Sequence, residues 1–235
     1  MSTDAWNALE SYHVRWTSPG RTDRGSMPIG NGEVALNVWV EEDGDLLFYM
    51  ARTDALTELD RSVKLGLVRV RWYPTPFRRG AKFLQELRLG DGVIDIEAGE
   101  GKERVRVRIF VDAASPAVYV VGESAVPIAV RAEYTTWRCA PRPAGSDSPL
   151  GARSGCEIGE TADVVRNVGN RVLFYHRNGP DCVRAHAEQQ GLVDVLDRIP
   201  NPLAHRTFGG MMSMAGAAAV GLGALEKTVA AGFEL

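Results

Sequence analysis

The sequence has little cysteine and no excess of positive charge. Cys139, Cys156 and Cys182 are the three cysteines among 235 residues. They form neither a CxxC pair nor a closely spaced set with histidine, and this spacing argues against a structural zinc site. The net charge of −3 leaves no surplus of cations to neutralise phosphates, so nucleic acid is not expected as a partner.

Long apolar runs are also missing. The opening residues MSTDAWNALESYHV lack the basic start and apolar core of a secretory signal, and no apolar run reaches the roughly 18 residues of a membrane span. We expect a soluble protein without a membrane partner, a cofactor or a metal. A signal could have been removed before the sequence given, so export stays open. In an exported protein Cys139 and Cys156 could form a disulfide, whereas free buried thiols are the default expectation.

What the sequence does contain is a series of alternating strand patterns. In ERVRVRIFVD, apolar side chains at 105, 107 and 109 alternate with arginines at 104, 106 and 108, which is typical of a half-buried strand. LVRVRWYP predicts Val68, Val70 and Trp72 inward, and the two prolines after Tyr73 end that strand.

Turn signals between these strands predict the class of fold. Gly90, Asp91 and Gly92 separate two alternating segments, a strong hairpin signal. Roughly a dozen strands with short turns predict antiparallel sheets, in a sandwich or a barrel, within one domain. The one plausible helix lies near residues 186–198. The long Pro-, Gly- and Ser-rich stretch 139–161 is either a disordered insertion or a functional lid.

Five segments of the chain resemble known proteins. RWTSPG (15–20), MPIGNGEVALNVWV (27–40) and RTDAL (52–56) are similar to the opening of family 95 glycoside hydrolases, in which a W-x-x-P element precedes a P-I-G-N-G loop. ADVVRNVGNRVLFYHRN and NPLAHRTFGGMM resemble more closely an N-terminal domain of unknown function attached to similar glycoside-hydrolase-like proteins. The resemblance spans nearly the whole chain.

This resemblance implies a fold and a role. It implies that residues 1–235 form one mainly β domain, an antiparallel two-sheet β super-sandwich of the galactose-mutarotase-like type. It also implies a following (α/α)6 barrel that carries the catalytic carboxylates. On this hypothesis the chain is the non-catalytic N-terminal domain of a glycoside hydrolase, packs against the barrel and partly shapes its site, with carbohydrate as the partner molecule.

The candidate site residues fall in three groups, each with a structural alternative. The glycines of the PIGNG loop suit a tight turn, but the resemblance places this loop toward the barrel. Arg52 and Asp54, which follow DLLFYMA, could form a local ion pair, cap ALTELDRSV as a short helix, or contact the following barrel. FYHRN is either structural or lines a polar cleft at a strand end. The predicted residues are Pro28, Gly30, Asn31, Gly32, Arg52, Asp54, His176, Arg177 and Asn178.

No catalytic acid or nucleophile is named on this chain. A glycosidase needs two carboxyl groups roughly 5 to 10 Å apart, and no local motif marks such a pair among the thirty acidic residues. Two other functions remain open: a carbohydrate-binding module that uses exposed aromatics, and a stand-alone mutarotase in which His176 acts with a nearby carboxylate. Core packing is expected for Trp39 and Trp72, whereas Trp6 and Trp137 are less constrained.

Overall fold

Antiparallel β-strands dominate the structure, which is a computed structural model. It describes residues 8–42, 44–143, 159–179, 184, 187–188, 190–196, 198, 201–225 and 228–234. The predicted mainly β class is confirmed, with seventeen strands in these ranges rather than about twelve. They are β1 Val14–Trp16, β2 Met27–Gly30, β3 Val34–Val40, β4 Leu46–Leu56, β5 Ser62–Tyr73, β6 Phe83–Arg88, β7 Val93–Ala98, β8 Val105–Val111, β9 Val118–Ser124, β10 Ala129–Thr136, β11 Arg142–Pro143, β12 Gly159–Glu160, β13 Val164–Asn167, β14 Val172–Arg177, β15 Thr207–Met212, β16 Ala218–Leu225 and β17 Thr228–Glu234.

Two large sheets form a β sandwich. One has five strands in the order β1-β6-β7-β8-β9, and the other has seven in the order β16-β17-β10-β5-β4-β3-β2. Apolar side chains of both sheets enter one core cluster. Gln85, buried in the five-stranded sheet, donates across the sandwich to the Val38 carbonyl at 3.3 Å. The two sheets are therefore joined by a polar contact as well as by apolar packing.

The alternating strand patterns behave as predicted. Val105, Val107 and Ile109 are at most 1% exposed, while the arginines between them face outward on β8. The outer face carries an ion-pair ladder, because cross-strand register places Arg108 opposite Asp95 and Arg106 opposite Glu97. On β5 the inward residues Val68, Val70 and Trp72 are also buried, and the strand ends before the two prolines.

A third sheet of three strands, β13-β14-β15, extends the core. Its Phe174 stacks on Tyr134 of β10 with ring centroids 4.0 Å apart. Gly66 on β5 makes this possible, since a Cβ there would lie 2.4 Å from the Tyr134 ring. The hydroxyl of Tyr134 donates to the Leu65 carbonyl at 2.8 Å. The third sheet is thus fastened to the seven-stranded sheet near the start of β5.

In the part of the chain that the structure describes, helix is confined to short segments. An α-helix spans Val193–Leu196, and 3₁₀ turns span Asp23–Gly25 and Gly101–Glu103. The α-helix lies within the predicted range 186–198, parts of which lie outside the described residues. Within the described ranges, every helix is too short to cross a bilayer.

The helix predicted as an alternative for ALTELDRSV is wrong. β4 continues as a strand through Leu56, and residues 57–61 form a turn closed by the Thr57 amide donating to the Arg61 carbonyl at 3.0 Å. Asp60 adopts a left-handed φ of 56° in this turn. Pairing of β4 with β5 decides the conformation, because tertiary contacts outweigh weak local helix propensity.

The long loop 139–161 is described only at its ends. β11 and β12 pair there, with Arg142 opposite Glu160 and Pro143 opposite Gly159. Residues 144–158 lie outside the described residues, as do Cys182 and Trp6, so the lid and the Cys139–Cys156 bridge stay predictions. The paired ends bring the two sides of the loop together next to the start of β5.

Candidate functional site

The PIGNG loop is the hairpin between β2 and β3, and Asn31 is fully engaged there. Its Oδ1 accepts from the amides of Glu33 and Val34 at 2.9 and 2.8 Å. Its Nδ2 donates to the carbonyls of Asp112 and Ser115, at 2.8 and 3.1 Å, which follow β8 in the opposite sheet. Asn31 therefore links the two sheets through backbone contacts. Its contact with a ligand or another domain stays a prediction.

Steric constraints explain why glycine occupies positions 30 and 32 of the same loop. A Cβ at Gly30 would lie 2.7 Å from the Val34 carbonyl oxygen, and Gly32 has a φ of +92°. Pro28 is exposed on β2, opposite Asn37 of β3. The tight turn alone accounts for both glycines.

Arg52 and Asp54 lie near this loop at the end of β4. Arg52 contacts Glu33 Oε1 through Nη2 at 2.7 Å, and its Nε lies 2.9 Å from Asp54 Oδ1. The predicted local ion pair is therefore present. The Asp54 carbonyl also accepts from Arg206 Nε at 2.9 Å, which ties β4 to the segment before β15.

A buried charged network lies at the end of β10. His176 Nδ1 is 2.9 Å from Asp163 Oδ1, and its Nε2 is 3.2 Å from Glu58 Oε2. Asp163 also accepts from Arg138 Nε at 2.9 Å and from the Thr136 hydroxyl at 2.5 Å. The His176 side chain is 0% exposed, and both carboxylates are 2% exposed. β14 supplies the histidine, and the loops after β4 and β12 supply its two carboxylate partners.

Hydrogen bonds within this network shift the pKa values of His176 and Glu58 in opposite directions. Burial by itself lowers the pKa of His176, but hydrogen bonds to Asp163 and Glu58 raise it to about 9. Burial by itself raises the pKa of Glu58, but hydrogen bonds from His176 and from the amides of Thr161 and Gly179 lower it to about 2. The imidazolium and the Glu58 carboxylate are therefore both charged at neutral pH.

The structure places two of the three predicted FYHRN residues, His176 and Asn178, in the interior. His176 lies in the interior with both ring nitrogens occupied, and Asn178 is 2% exposed. Asn178 Nδ2 donates to the carbonyls of Leu56 and Leu203 at 3.0 and 2.9 Å. Arg177 is the exposed member of the three. Among the described residues, no set of three His, Cys, Asp or Glu side chains is arranged to hold a metal ion.

A groove of about 320 Å³ lies at the base of the long loop. It is formed where the start of β5 faces the residues after β10 and the paired strands β11 and β12. Its volume is at the lower end of the roughly 300 to 1,000 Å³ that is common for small-molecule sites. Its lining includes Lys64, Trp137, Arg138, Arg142, Glu160 and Thr161.

An exposed aromatic ring stands on this groove. Trp137 is 42% exposed and contacts Tyr49 edge-on, with ring centroids 6.1 Å apart. Trp39, which is buried as predicted, packs on Tyr49 at 5.1 Å. The Lys64 ammonium lies 3.6 Å from the centroid of the Tyr49 ring. One tyrosine thus supports both an indole and a cation of the groove.

The buried network fixes the floor of the groove. Arg138 lines the groove but is 11% exposed, and its guanidinium is paired with Asp163. Arg138 Nη1 also donates to the Lys64 carbonyl at 2.8 Å. Thr161, another lining residue, donates its amide to Glu58 Oε1 at 3.0 Å. The two carboxylates beside His176 therefore hold two groove residues in place.

A larger concavity of about 460 Å³ lies on the outer face of the five-stranded sheet. Its lining is mostly the ion-pair ladder described above. Arg108, for example, donates both Nε and Nη2 to the two oxygens of Asp95 at 2.7 and 2.9 Å. Because these charges satisfy one another, we place the candidate site at the groove beside Trp137.

Comparison with known families adds one finding. The sequence profile of a family described as "Domain of unknown function (DUF5703)" matches residues 15–235. The chain belongs to the DUF5703_N family. No curated protein matches it. The part of the resemblance that pointed to a domain of unknown function is thereby confirmed.

The sequence of this DUF5703_N domain does not predict the groove. Glu58, Asp163, Arg138 and the groove cations were not predicted, although the first two lie beside or within segments that carried the resemblance. One signal in the sequence could have indicated the buried network: a charged residue directly beside apolar strand residues, such as Asp163 before Val164 and Val165. The sequence leaves Trp6 and Trp137 less constrained than Trp39 and Trp72, and the structure places Trp137 on the groove.

Proposed function

We propose that this DUF5703_N domain is a non-catalytic, carbohydrate-contacting domain of a glycoside-hydrolase-like protein. The observation that carries the proposal is the exposed indole of Trp137 on a groove lined by polar and charged side chains. The face of a sugar ring packs on an indole, and its hydroxyl groups require hydrogen-bond partners around the ring.

Both hydrogen-bond donors and a hydrogen-bond acceptor surround Trp137. Arg142 and Lys64 can donate to sugar hydroxyls, and Glu160 can accept from them. Glu160 is oriented by the Thr57 hydroxyl, which donates to its Oε1 at 2.9 Å. Such preorganised side chains reduce the conformational entropy lost on binding.

The carboxylates near the groove favour a non-catalytic role. Glycoside hydrolysis needs two carboxyl groups that reach one glycosidic bond. Glu160 is the one carboxylate in the described lining of the groove. Glu58 and Asp163 are 2% exposed and are held by His176. We therefore expect no glycoside hydrolysis by this domain alone.

The resemblance to family 95 glycoside hydrolases supports the wider proposal. In that arrangement a following (α/α)6 barrel supplies the chemistry, and the sandwich packs against it and partly shapes its site. The PIGNG loop with Arg52 and Asp54, at the far ends of β2 and β4, is the proposed contact with that barrel.

Binding measurements test the groove directly. We expect calorimetric titration with a panel of neutral and charged oligosaccharides to detect binding, and Trp137→Ala to weaken it by at least about tenfold, or about 1.4 kcal/mol. The weakening follows from loss of the stacking surface. Trp137→Phe should retain part of the affinity, because a smaller ring still offers a face.

A matched variant controls for unspecific effects. Tyr119 on β9 is 46% exposed and stacks on Phe110, away from the groove. Tyr119→Ala should leave saccharide affinity unchanged. Equal affinities for Trp137→Ala and the unmodified domain, or no heat with any saccharide, would overturn the proposal.

A further inference from the structure

The groove beside Trp137 carries more positive than negative charge. Its described lining holds four cationic side chains, Arg61, Lys64, Arg138 and Arg142, and one carboxylate, Glu160. The whole chain has a net charge of −3, so this concentration of cations is local and opposite in sign to the molecule.

The cationic side chains of the groove differ in whether they form an ion pair with a carboxylate. Arg138 is neutralised by Asp163 and donates to the Lys64 carbonyl, so it is part of the floor. Lys64 contacts the Tyr49 ring, and within the described part of the chain neither Lys64 nor Arg142 forms an ion pair. These two side chains retain hydrogen-bond donors that can face a ligand.

The position of these donors relative to the indole suits one class of ligand. Lys64 and Trp137 both rest on Tyr49, which keeps an ammonium and an aromatic face in the same groove. Arg142 lies on β11, opposite Glu160 of β12, and so on another wall of the groove. A neutral sugar has no charge to match these groups, whereas a carboxylate or sulfate accepts charge-assisted hydrogen bonds from both.

We propose that the groove binds an acidic saccharide, whose ring packs on Trp137 while its carboxylate or sulfate group contacts Lys64 and Arg142. The inference rests on the proposed carbohydrate-contacting function and narrows it to anionic sugars. Lys64 and Arg142, which form no ion pair within the described residues, lie beside an exposed indole, and this combination favours an acidic saccharide over a neutral one.

Titration with three probes tests the charge requirement. Oligogalacturonate carries carboxylates, dextran sulfate carries sulfates, and plain dextran carries neither. We expect at least one anionic probe to bind at least about tenfold more tightly than dextran, and this preference to shrink as ionic strength rises, because salt screens exposed charges. The two anionic probes distinguish carboxylate from sulfate recognition. Inorganic sulfate should bind only weakly, since it offers no ring to the indole.

Charge-neutralising variants assign the preference to the two side chains. Lys64→Gln and Arg142→Gln should each weaken binding of the anionic probe by about fivefold to tenfold and weaken dextran binding much less, because glutamine keeps a hydrogen-bond donor for sugar hydroxyls but not the charge. Arg166→Gln is the matched control, because Arg166 is exposed on β13 and does not line the groove. Circular dichroism should show that all three variants remain folded.

The outcomes separate this inference from the function on which it rests. If neutral and anionic probes bind equally well through Trp137, the acidic preference is wrong and the carbohydrate-contacting function stands. If the anionic probes bind but Trp137→Ala has no effect, or inorganic sulfate binds as tightly as they do, the site is a simple anion site and both proposals fail. If no saccharide binds, both also fail.

Discussion

At the scale of single residues, His176 is held as a charged group inside the protein. Its ring is stacked on Phe208 at 5.0 Å and lies between Asp163 and Glu58. A buried cation is tolerated only with such partners, because desolvation otherwise favours the neutral form. The arrangement makes His176 a structural group, and we propose that Trp137 and its neighbours are the residues that contact a ligand.

This network predicts a specific dependence of stability on pH. The pKa of His176 rises from its ordinary 6.5 to about 9 on folding, so its contribution is complete below pH 6.5 and is lost as pH rises through 9. The pKa of Glu58 falls from 4.5 to about 2, so its contribution is complete above pH 4.5 and is lost as pH falls toward 2. Together they favour the folded state most between about pH 4.5 and 6.5.

Urea unfolding between pH 5 and 10 measures this dependence. The loss on the alkaline side should amount to about 3 kcal/mol for the unmodified domain. His176→Gln should be less stable at pH 6 and should lose most of the alkaline decline, because its amide does not titrate. His205→Asn is the matched control, since His205 lies outside the network and asparagine tolerates its left-handed φ of 56°. The same alkaline decline in His176→Gln would contradict the assignment.

At the scale of elements, the Asn31 side chain connects the β2–β3 hairpin to the segment after β8 in the opposite sheet. Asn31 makes four hydrogen bonds to backbone groups, two within its own turn and two to the segment after β8. The loop that the resemblance assigns to a domain contact is thus also a clamp between the sheets. Both roles are compatible, because Pro28 and Arg52 remain on its accessible side.

Replacing Asn31 should destabilise the fold noticeably. Asn31→Ala removes all four hydrogen bonds and should lower the free energy of unfolding by about 2 to 3 kcal/mol. Asn37→Ala is the control: Asn37 is exposed on β3 and donates one bond, to the Ser26 hydroxyl at 3.2 Å. We expect Asn37→Ala to lower the free energy of unfolding by less than about 0.5 kcal/mol in urea titrations. Equal losses for the two variants would show that Asn31 is not a clamp.

At the scale of the whole molecule, one apolar cluster joins all three packed sheets. It includes Ile96 of the five-stranded sheet, Val68 of the seven-stranded sheet and Phe174 of the third. The last described strand, β17, lies between β10 and β16, so residues far apart in sequence complete the large sheet. Such long-range pairing favours unfolding of the described domain as one unit.

A core truncation tests this cooperativity. Ile96→Ala should lower the free energy of unfolding by about 3 kcal/mol, because Ile96 is 0% exposed and its loss leaves a cavity. Tryptophan fluorescence and far-ultraviolet circular dichroism should still give coincident transitions. Val121→Ala, at an exposed position of the same sheet, should cost less than about 0.5 kcal/mol. Two separated transitions would show that the sheets unfold independently.

The sequence by itself determined the mainly β class and which faces of the strands are buried. Period-two alternation placed Val68, Val70 and Trp72 inward, and Gly90, Asp91 and Gly92 marked the β6–β7 hairpin. These features depend on local geometry, since each side chain alternates across its own strand. The family membership also follows from sequence, through the match over residues 15–235.

Only the tertiary structure decided which strands share a sheet and where the groove lies. β9 and β10 are consecutive in the chain but belong to different sheets, and ALTELDRSV became a strand and a turn. Glu58, Asp163 and His176 meet across sequence separations of up to 118 residues. No local pattern encodes such meetings, because charge pairing inside a protein depends on packing between distant elements. For the same reason Trp137, Lys64 and Arg142 became one groove only when β5, β10 and β11 were brought together.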